Sequence, residues 1–229
     1  MKILAIGDSI TLGKPGLSYI QFLKNYEIDN YGKAGDTIIG IYNRLKSIDL
    51  CDYDYIFIEG GGNDILLPLF YEERPLWRKV IDNIINSGSI PSSDIYEYIS
   101  TWQDIIKYLK ADGSKNIIVI SNPILGENIN NRYNKIVSDY NNELKKMCLK
   151  NSIKLIDFFS WQVENLSGNP KLMTNTPVDV ERDSAINDIA LIDELSQKRN
   201  YNLTIDGVHF NSISAQKLAE LIEDNLHEW

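Results

Sequence analysis

Short apolar runs punctuate the chain at 2–6, 55–58, 116–120 and 153–156, each rich in Ile, Leu, Val or Phe and each closed by a polar or glycine-bearing turn. Runs of this length read as strands buried on both faces of a parallel sheet. A weaker run at 28–31, just before Gly32, brings the expected strands to five. Between the runs the apolar spacing becomes helical. Tyr19, Ile20, Phe22, Leu23 and Tyr26 share one face after Pro15, a residue suited to a first helical turn. Ile38, Ile41, Tyr42 and Leu45 mark a second helix, and Ile95, Ile99, Trp102, Ile105, Ile106 and Leu109 a third. Tyr133, Ile136, Val137, Tyr140, Leu144 and Met147 give another, and Ala215, Leu218, Ala219, Leu221 and Ile222 close the pattern. Strand alternating with helix predicts an α/β fold: a parallel sheet with helices on both faces, joined by right-handed crossovers. Ligands of such folds bind beyond the carboxyl ends of the strands.

Two segments break the alternation. Residues 65–92 carry Leu66, Leu67, Leu69, Phe70, Tyr71 and Trp77 directly after a glycine-rich turn, and 160–204 runs through Asn, Ser, Thr and Pro before a helix expected near 184–198. Insertions of this length at one edge of a compact domain are usually lids, binding loops or disordered segments. No shift in composition marks a second unit, so residues 1–229 are read as one domain with these two insertions.

Charge narrows the partners. With 23 Lys and Arg against 32 Asp and Glu the formal net charge is −9, which disfavours nucleic acid and anionic membrane surfaces. The first apolar run stops at Gly7-Asp8, too early for a signal peptide, and no stretch approaches the roughly 18 uninterrupted apolar residues of a membrane span. The expectation is a cytoplasmic protein with no membrane span. Cys51 and Cys148 have neither disulfide-framework nor zinc-site spacing and are expected to be buried thiols.

The chemistry-bearing residues fall at the ends of the expected strands. Gly7-Asp8-Ser9-Ile10 follows the first strand directly, which places Ser9 where a ligand site is expected. A serine hydroxyl needs a base, usually a histidine oriented by a carboxylate. The chain offers His209 and His227; the second is near the C-terminus, whereas His209 lies in Asp206-Gly207-Val208-His209. On a helical turn residues three apart face the same side, so Asp206 can reach the imidazole and leave Nε2 toward Ser9. Attack on an ester carbonyl also requires donors for an oxyanion, which glycine-rich turns and a side-chain amide can provide. Such turns follow the second and third strands, at residues 32–37 (GKAGDT) and 60–64 (GGGND).

Taken in order, Gly7-Asp8-Ser9, Gly35, Gly62-Asn63-Asp64 and Asp206 to His209 resemble the four blocks of the SGNH (GDSL-like) hydrolases, with Ile10 where the family name has Leu. The resemblance spans the chain. It implies a flavodoxin-like three-layer α/β/α sandwich around a five-stranded parallel sheet, in agreement with the alternation above. It further implies Ser9 as nucleophile, Asp206 and His209 as the rest of a triad, and an oxyanion hole formed by the backbone amides of Ser9 and Gly35 with the Asn63 side chain. No metal or cofactor is required. The implied reaction is hydrolysis of a small-molecule carboxylic ester through an acyl-enzyme.

Plainer uses of the same residues stand beside these. Asp8, Asp36 and Asp64 are expected to stabilise turns rather than to do chemistry, and Ser9 or Asn63 could simply cap a helix. The cluster at 66–77 fits packing and an acyl pocket equally. Rival motifs fail on spacing: five residues rather than four separate Gly7 from Gly13, Pro15 follows Lys14, and Thr11 stands where an α/β-hydrolase elbow has its second glycine. A non-catalytic carbohydrate-binding module on the same fold would not need the whole constellation. Among esters, Trp77, Trp161 and nearby tyrosines favour an acetylated sugar, whose rings stack on aromatic faces; Leu66, Leu67, Leu69 and Phe70 favour the longer acyl chains of a lysophospholipase or thioesterase.

Overall fold

The computed structural model describes residues 1–114, 116–166, 168 and 176–226. Five strands, β1 (Lys2–Gly7), β2 (Glu27–Gly32), β3 (Tyr55–Glu59), β4 (Ile117–Ile120) and β5 (Lys154–Ile156), form one sheet in the order β2-β1-β3-β4-β5. Every pairing is parallel. The helices are α1 (Ser9–Leu12), α2 (Ile38–Leu45), α3 (Gly62–Glu73), α4 (Arg78–Asn86) and α5 (Ile95–Asp112), then α6 (Arg132–Lys150), α7 (Phe158–Glu164), α8 (Pro177–Ser184), α9 (Ile189–Lys198) and α10 (Ser212–Leu226).

Side chains alternate across the sheet, as a pleated backbone requires. Ile3, Ala5, Phe57, Ile118 and Ile120 face a layer formed with Phe158, Phe210, Leu218 and Ile222. Leu4, Ile6, Ile56, Ile58 and Val119 face the opposite layer, with Ile38, Ile41, Trp102, Ile105 and Leu144. Both faces of the central strands are therefore covered, which is why they read as unbroken apolar runs. The helices begin where local chemistry allows: Asp94 accepts from the Tyr96 and Glu97 amides to start α5, and Gly113 ends it in the left-handed conformation. Thr37 and Asn131 cap α2 and α6 in the same manner.

A third apolar cluster lies past the carboxyl ends of the strands, where Leu66, Leu67, Phe70 and Ile81 meet Ile124, Leu125, Val137, Leu203 and Val208. This cluster roots the first insertion. Residues 65–92 are mostly helical, in α3, a 3₁₀ turn at Pro75–Trp77 and α4, rather than an irregular loop. In the second insertion the helix expected near 184–198 is α9, and α8 precedes it; residues 167 and 169–175 lie outside the described residues, as does His227.

Three other expectations need correction. The helix expected over 19–26 is only a 3₁₀ turn, Tyr19–Phe22, capped by Ser18. Leu17 is held to the Phe210 backbone and the Ser18 hydroxyl to the Thr11 carbonyl, so the segment is laid down by tertiary contacts and leaves room for one turn. Cys148 is buried as expected, but Cys51 is exposed in a turn, where its amide donates to Asp49 Oδ1 and its thiol to Asp52 Oδ1. Trp161 stacks on Phe158 at 5.5 Å and serves packing rather than the rim of the site. Phe57 is fully buried between β1 and β4, so Phe57→Ala should lower unfolding stability by about 3–5 kcal/mol, read from the urea midpoint.

Candidate active site

With β1 flanked by β2 on one side and β3 on the other, the chain leaves β1 at the topological switch point of the sheet, where a crevice opens. The turn there is tight. A Cβ on Gly7 would run into the Thr11 hydroxyl and the Glu59 backbone oxygen. Asp8 then caps α1, its Oδ1 accepting from the Ile10 amide at 2.8 Å, and Ser9 is the first helical residue. The reading of Asp8 as a turn stabiliser agrees with this contact.

The turn after β2 reaches the same crevice. Gly35 has φ +72°, the left-handed conformation that favours glycine, and packs against the flexible end of Ile84 of α4. Arg44 of α2 ties this turn to β1: it donates to the Gly7 carbonyl at 2.9 Å and pairs with Asp36 at 2.7 Å. After β3, Gly61 occupies the cap position of α3 and Asn63 lies within its first turn, so Asn63 is not a helix cap. Its Nδ2 donates to the Asp36 carbonyl at 2.9 Å and to Asp8 Oδ2 at 3.0 Å. Asp64 is structural: it accepts from the Ile38 amide and from the amide and hydroxyl of Ser92, and burial pushes its carboxyl up to about 6.

His209 arrives on the loop before α10. That loop is anchored by Glu127, a fully buried carboxylate that accepts from the amides of Asn202, Leu203 and Thr204 and from the Thr204 hydroxyl, all at 2.7 to 2.8 Å. Gly126 adds a backbone bond to the Gly207 carbonyl at 2.6 Å. Asp206 and His209 do not sit on a helical turn. Asp206 Oδ1 accepts from the amides of Val208 and His209, both at 2.9 Å, and Gly207 has φ +97°, the signature of an Asx turn. The result is the one the spacing suggested by another route: His209 Nδ1 donates to Asp206 Oδ2 at 2.8 Å, and Ser9 Oγ donates to His209 Nε2 at 3.1 Å.

All three groups are buried. Burial opposes charge on the imidazole, but the Asp206 carboxylate, with smaller contributions from Asp8 and Asp183, outweighs it and raises the His209 pKa. Burial also disfavours charge on Asp206, yet His209 and the two amides hold its carboxyl below the ordinary range. Ser9, Gly35, Asn63 and His209 open onto a cavity of about 280 Å³. Its wall is mostly apolar: Leu66, Leu67 and Phe70 from α3, Val80 and Ile84 from α4, and Trp77 between them. Val180 and Ser184 of α8 complete the rim, so both insertions line the site.

Glu59 and Glu127 escaped the sequence reading. Each carried a signal: a lone carboxylate ending the apolar run before Gly60, and one directly after Gly126.

The chain belongs to the GDSL-like lipase/acylhydrolase family, whose model matches residues 3–222, and is an SGNH-type ester hydrolase. Its fold is shared with the acetyl xylan esterase AlAXEase, at 18% identity over 99% of this chain and 100% of that one, with a TM-score of 0.66. It is shared also with Axe2, an acetylxylan esterase from Geobacillus stearothermophilus, at 17% identity over 100% and 94% of the two chains and a TM-score of 0.66. LAE5, an alpha/beta hydrolase enzyme from the metagenome of Lake Arreo, Spain, aligns at 16% identity over 97% and 93%, with a TM-score of 0.65. Comparison with curated proteins gives no match. Among the described residues no helix is long and apolar enough to cross a membrane.

The His209 environment predicts its titration. By NMR its imidazole should titrate above the ordinary value of about 6.5, and Asp206→Asn should lower it; a value unmoved by that substitution would exclude Asp206 as the cause of the shift.

Proposed function

We propose that the protein hydrolyses carboxylic esters with Ser9 as nucleophile, His209 as general base and acid, and Asp206 as the group that orients the imidazole. The observation that carries this reading is the unbroken hydrogen-bonded chain Ser9 Oγ to His209 Nε2, and His209 Nδ1 to Asp206 Oδ2. As Ser9 attacks, its proton passes to Nε2, and the imidazolium so formed is stabilised by Asp206. Charge then develops on the former carbonyl oxygen, for which the Ser9 and Gly35 amides and the Asn63 side chain, grouped around one cavity, are the available donors. Collapse expels the alcohol with the His209 proton, and water activated by the same imidazole releases the acid and frees Ser9. The raised His209 pKa displaces the rise of activity with pH upward, because only the neutral ring accepts a proton.

The substrate we assign is an acetylated carbohydrate. Support comes from the full-length likeness to acetyl xylan esterases and from Trp77 at the cavity wall, a face on which a sugar ring can stack. One observation favours a second reading: the wall formed by Leu66, Leu67, Phe70, Val80 and Ile84 is as apolar as a longer acyl chain would require. A series of esters of increasing acyl length, run beside acetylated xylo-oligosaccharides, separates the two. Preference for the acetylated sugar supports the first; rates that climb with chain length support the second.

Ser9→Ala and His209→Ala should each reduce hydrolysis of an activated acetate ester to background, and wild-type rates in either variant would exclude the assigned residue. Asn63→Ala should lower kcat by roughly 10² to 10³, the usual effect of losing one oxyanion donor, with little change in KM. An unchanged kcat would remove Asn63 from the hole.

A further inference from the structure

Beneath the proposed oxyanion site lie two carboxyl groups that the reaction above does not use. Ile6 of β1 pairs with Ile58 of β3, so Asp8 and Glu59 emerge side by side at the ends of adjacent strands. Both are buried, at 3% and 1% exposure. Glu59 Oε2 has only two long contacts, from the Asp8 amide at 3.4 Å and the Thr11 hydroxyl at 3.3 Å, and its Oε1 is buried with no partner. Among the described residues no lysine or arginine pairs with either carboxyl; Arg44 is engaged with Asp36 and the Gly7 and Tyr31 carbonyls, and the positive group that acts on Asp8 is the His209 imidazole when protonated. Two adjacent carboxyl groups out of water and without a paired cation cannot both be ionised. One proton held between the two groups leaves a single negative charge in place of two.

Asn63 connects this pair to catalysis. Its amide has two hydrogens, and in the resting protein one is held by the Asp36 carbonyl and the other by Asp8 Oδ2. Asp8 lines the cavity and Asp36 does not. The hydrogen available to an oxyanion is therefore the one that Asp8 holds. We propose that Asp8 and Glu59 share a single proton, and that this pair is a positioning device that sets how readily the Asn63 amide passes from Asp8 to the oxyanion. This rests on the oxyanion reading given above. With the proton present, Asp8 is a weak acceptor and yields the hydrogen. Once it is lost, the doubly charged pair retains the amide and repels the oxyanion. The direction of both ionisations agrees: burial, and then Glu59, raises Asp8 well above the usual carboxylate range, and burial pushes Glu59 up to about 7.

Other titratable groups stand near the pair: His209, with its partner Asp206, on the loop before α10, Tyr19 on the 3₁₀ turn, and Asp36 with Arg44 on the second turn and α2. Glu59→Gln leaves every one of these in place and replaces the second carboxyl by a neutral amide, which removes the like charge beside Asp8. The test is the pH profile of kcat on an activated acetate ester. Wild type should show a bell, its rising limb from His209 and its falling limb from the pair. Glu59→Gln should keep the rising limb and move the falling one to lower pH, because the like charge on Asp8 is gone while its burial remains. A falling limb that superimposes on that of wild type, or a wild-type profile without one, overturns the proposal. If Glu59→Gln does not fold, carboxyl NMR of wild type labelled at glutamate Cδ decides: one glutamate must titrate well above the ordinary range, and none doing so overturns the proposal. Labelling of Ser9 by a serine-directed phosphonate, run on both proteins, separates the two claims. Labelled Ser9 with unchanged profiles sinks the pair alone, whereas unlabelled wild-type Ser9 sinks the esterase reading.

Discussion

The imidazole of His209 meets Ser9 because the loop that carries it is fastened to the carboxyl end of β4. Glu127 makes that fastening, drawing three consecutive backbone amides and a threonine hydroxyl onto one buried carboxylate. Hydrogen bonds to a charged acceptor are about twice as strong as neutral ones, and four on one group leave the loop little freedom. The arrangement spans 200 positions of sequence, from the tip of β1 to the turn before α10. Asp206 then works at short range, orienting two amides of its own turn with one oxygen and the imidazole with the other.

Ser9 is positioned with comparable economy. The same tip of β1 holds the proposed nucleophile, the cap of its helix and, through Arg44, the turn that carries Gly35. The parallel sheet makes this possible: successive strands all deliver their carboxyl ends to one edge, and the order β2-β1-β3 opens a gap there. Buried carboxyl groups gather at that edge, namely Asp8, Glu59, Asp64, Asp206 and Glu127. Their fates differ with their partners. Asp206 faces an imidazole and two amides and stays ionised, whereas Glu59 faces another carboxyl and has an oxygen with no donor at all.

Much of this was legible in the chain because the relevant signals are local. The central strands were visible as apolar runs since both of their faces are covered, and Ser9, Gly35 and Asn63 stood out since each follows a strand in a glycine-bearing turn. What local patterns could not convey is tertiary. The 19–26 segment has helical spacing but is tied at Leu17 and Ser18 to distant backbone, and it keeps a single turn. Asp206 and His209 have helical spacing as well, yet Gly207 in a positive-φ conformation makes an Asx turn of it. Cys51 is exposed in a turn held by the Asp49 and Asp52 carboxylates. Glu127 and Glu59 showed in sequence only as isolated carboxylates beside glycines, and their roles stayed hidden because their partners lie 75 and 51 positions away.

The central claim is that the Ser9 hydroxyl becomes covalently acylated during turnover. Rapid acid quench of the enzyme with an activated acetate ester, followed by peptide mass spectrometry, tests it most directly. The account predicts an acetyl group on the peptide containing Ser9, absent from His209→Ala; steady turnover with the acetyl group on another residue, or with Ser9 unmodified at every quench time, would contradict it.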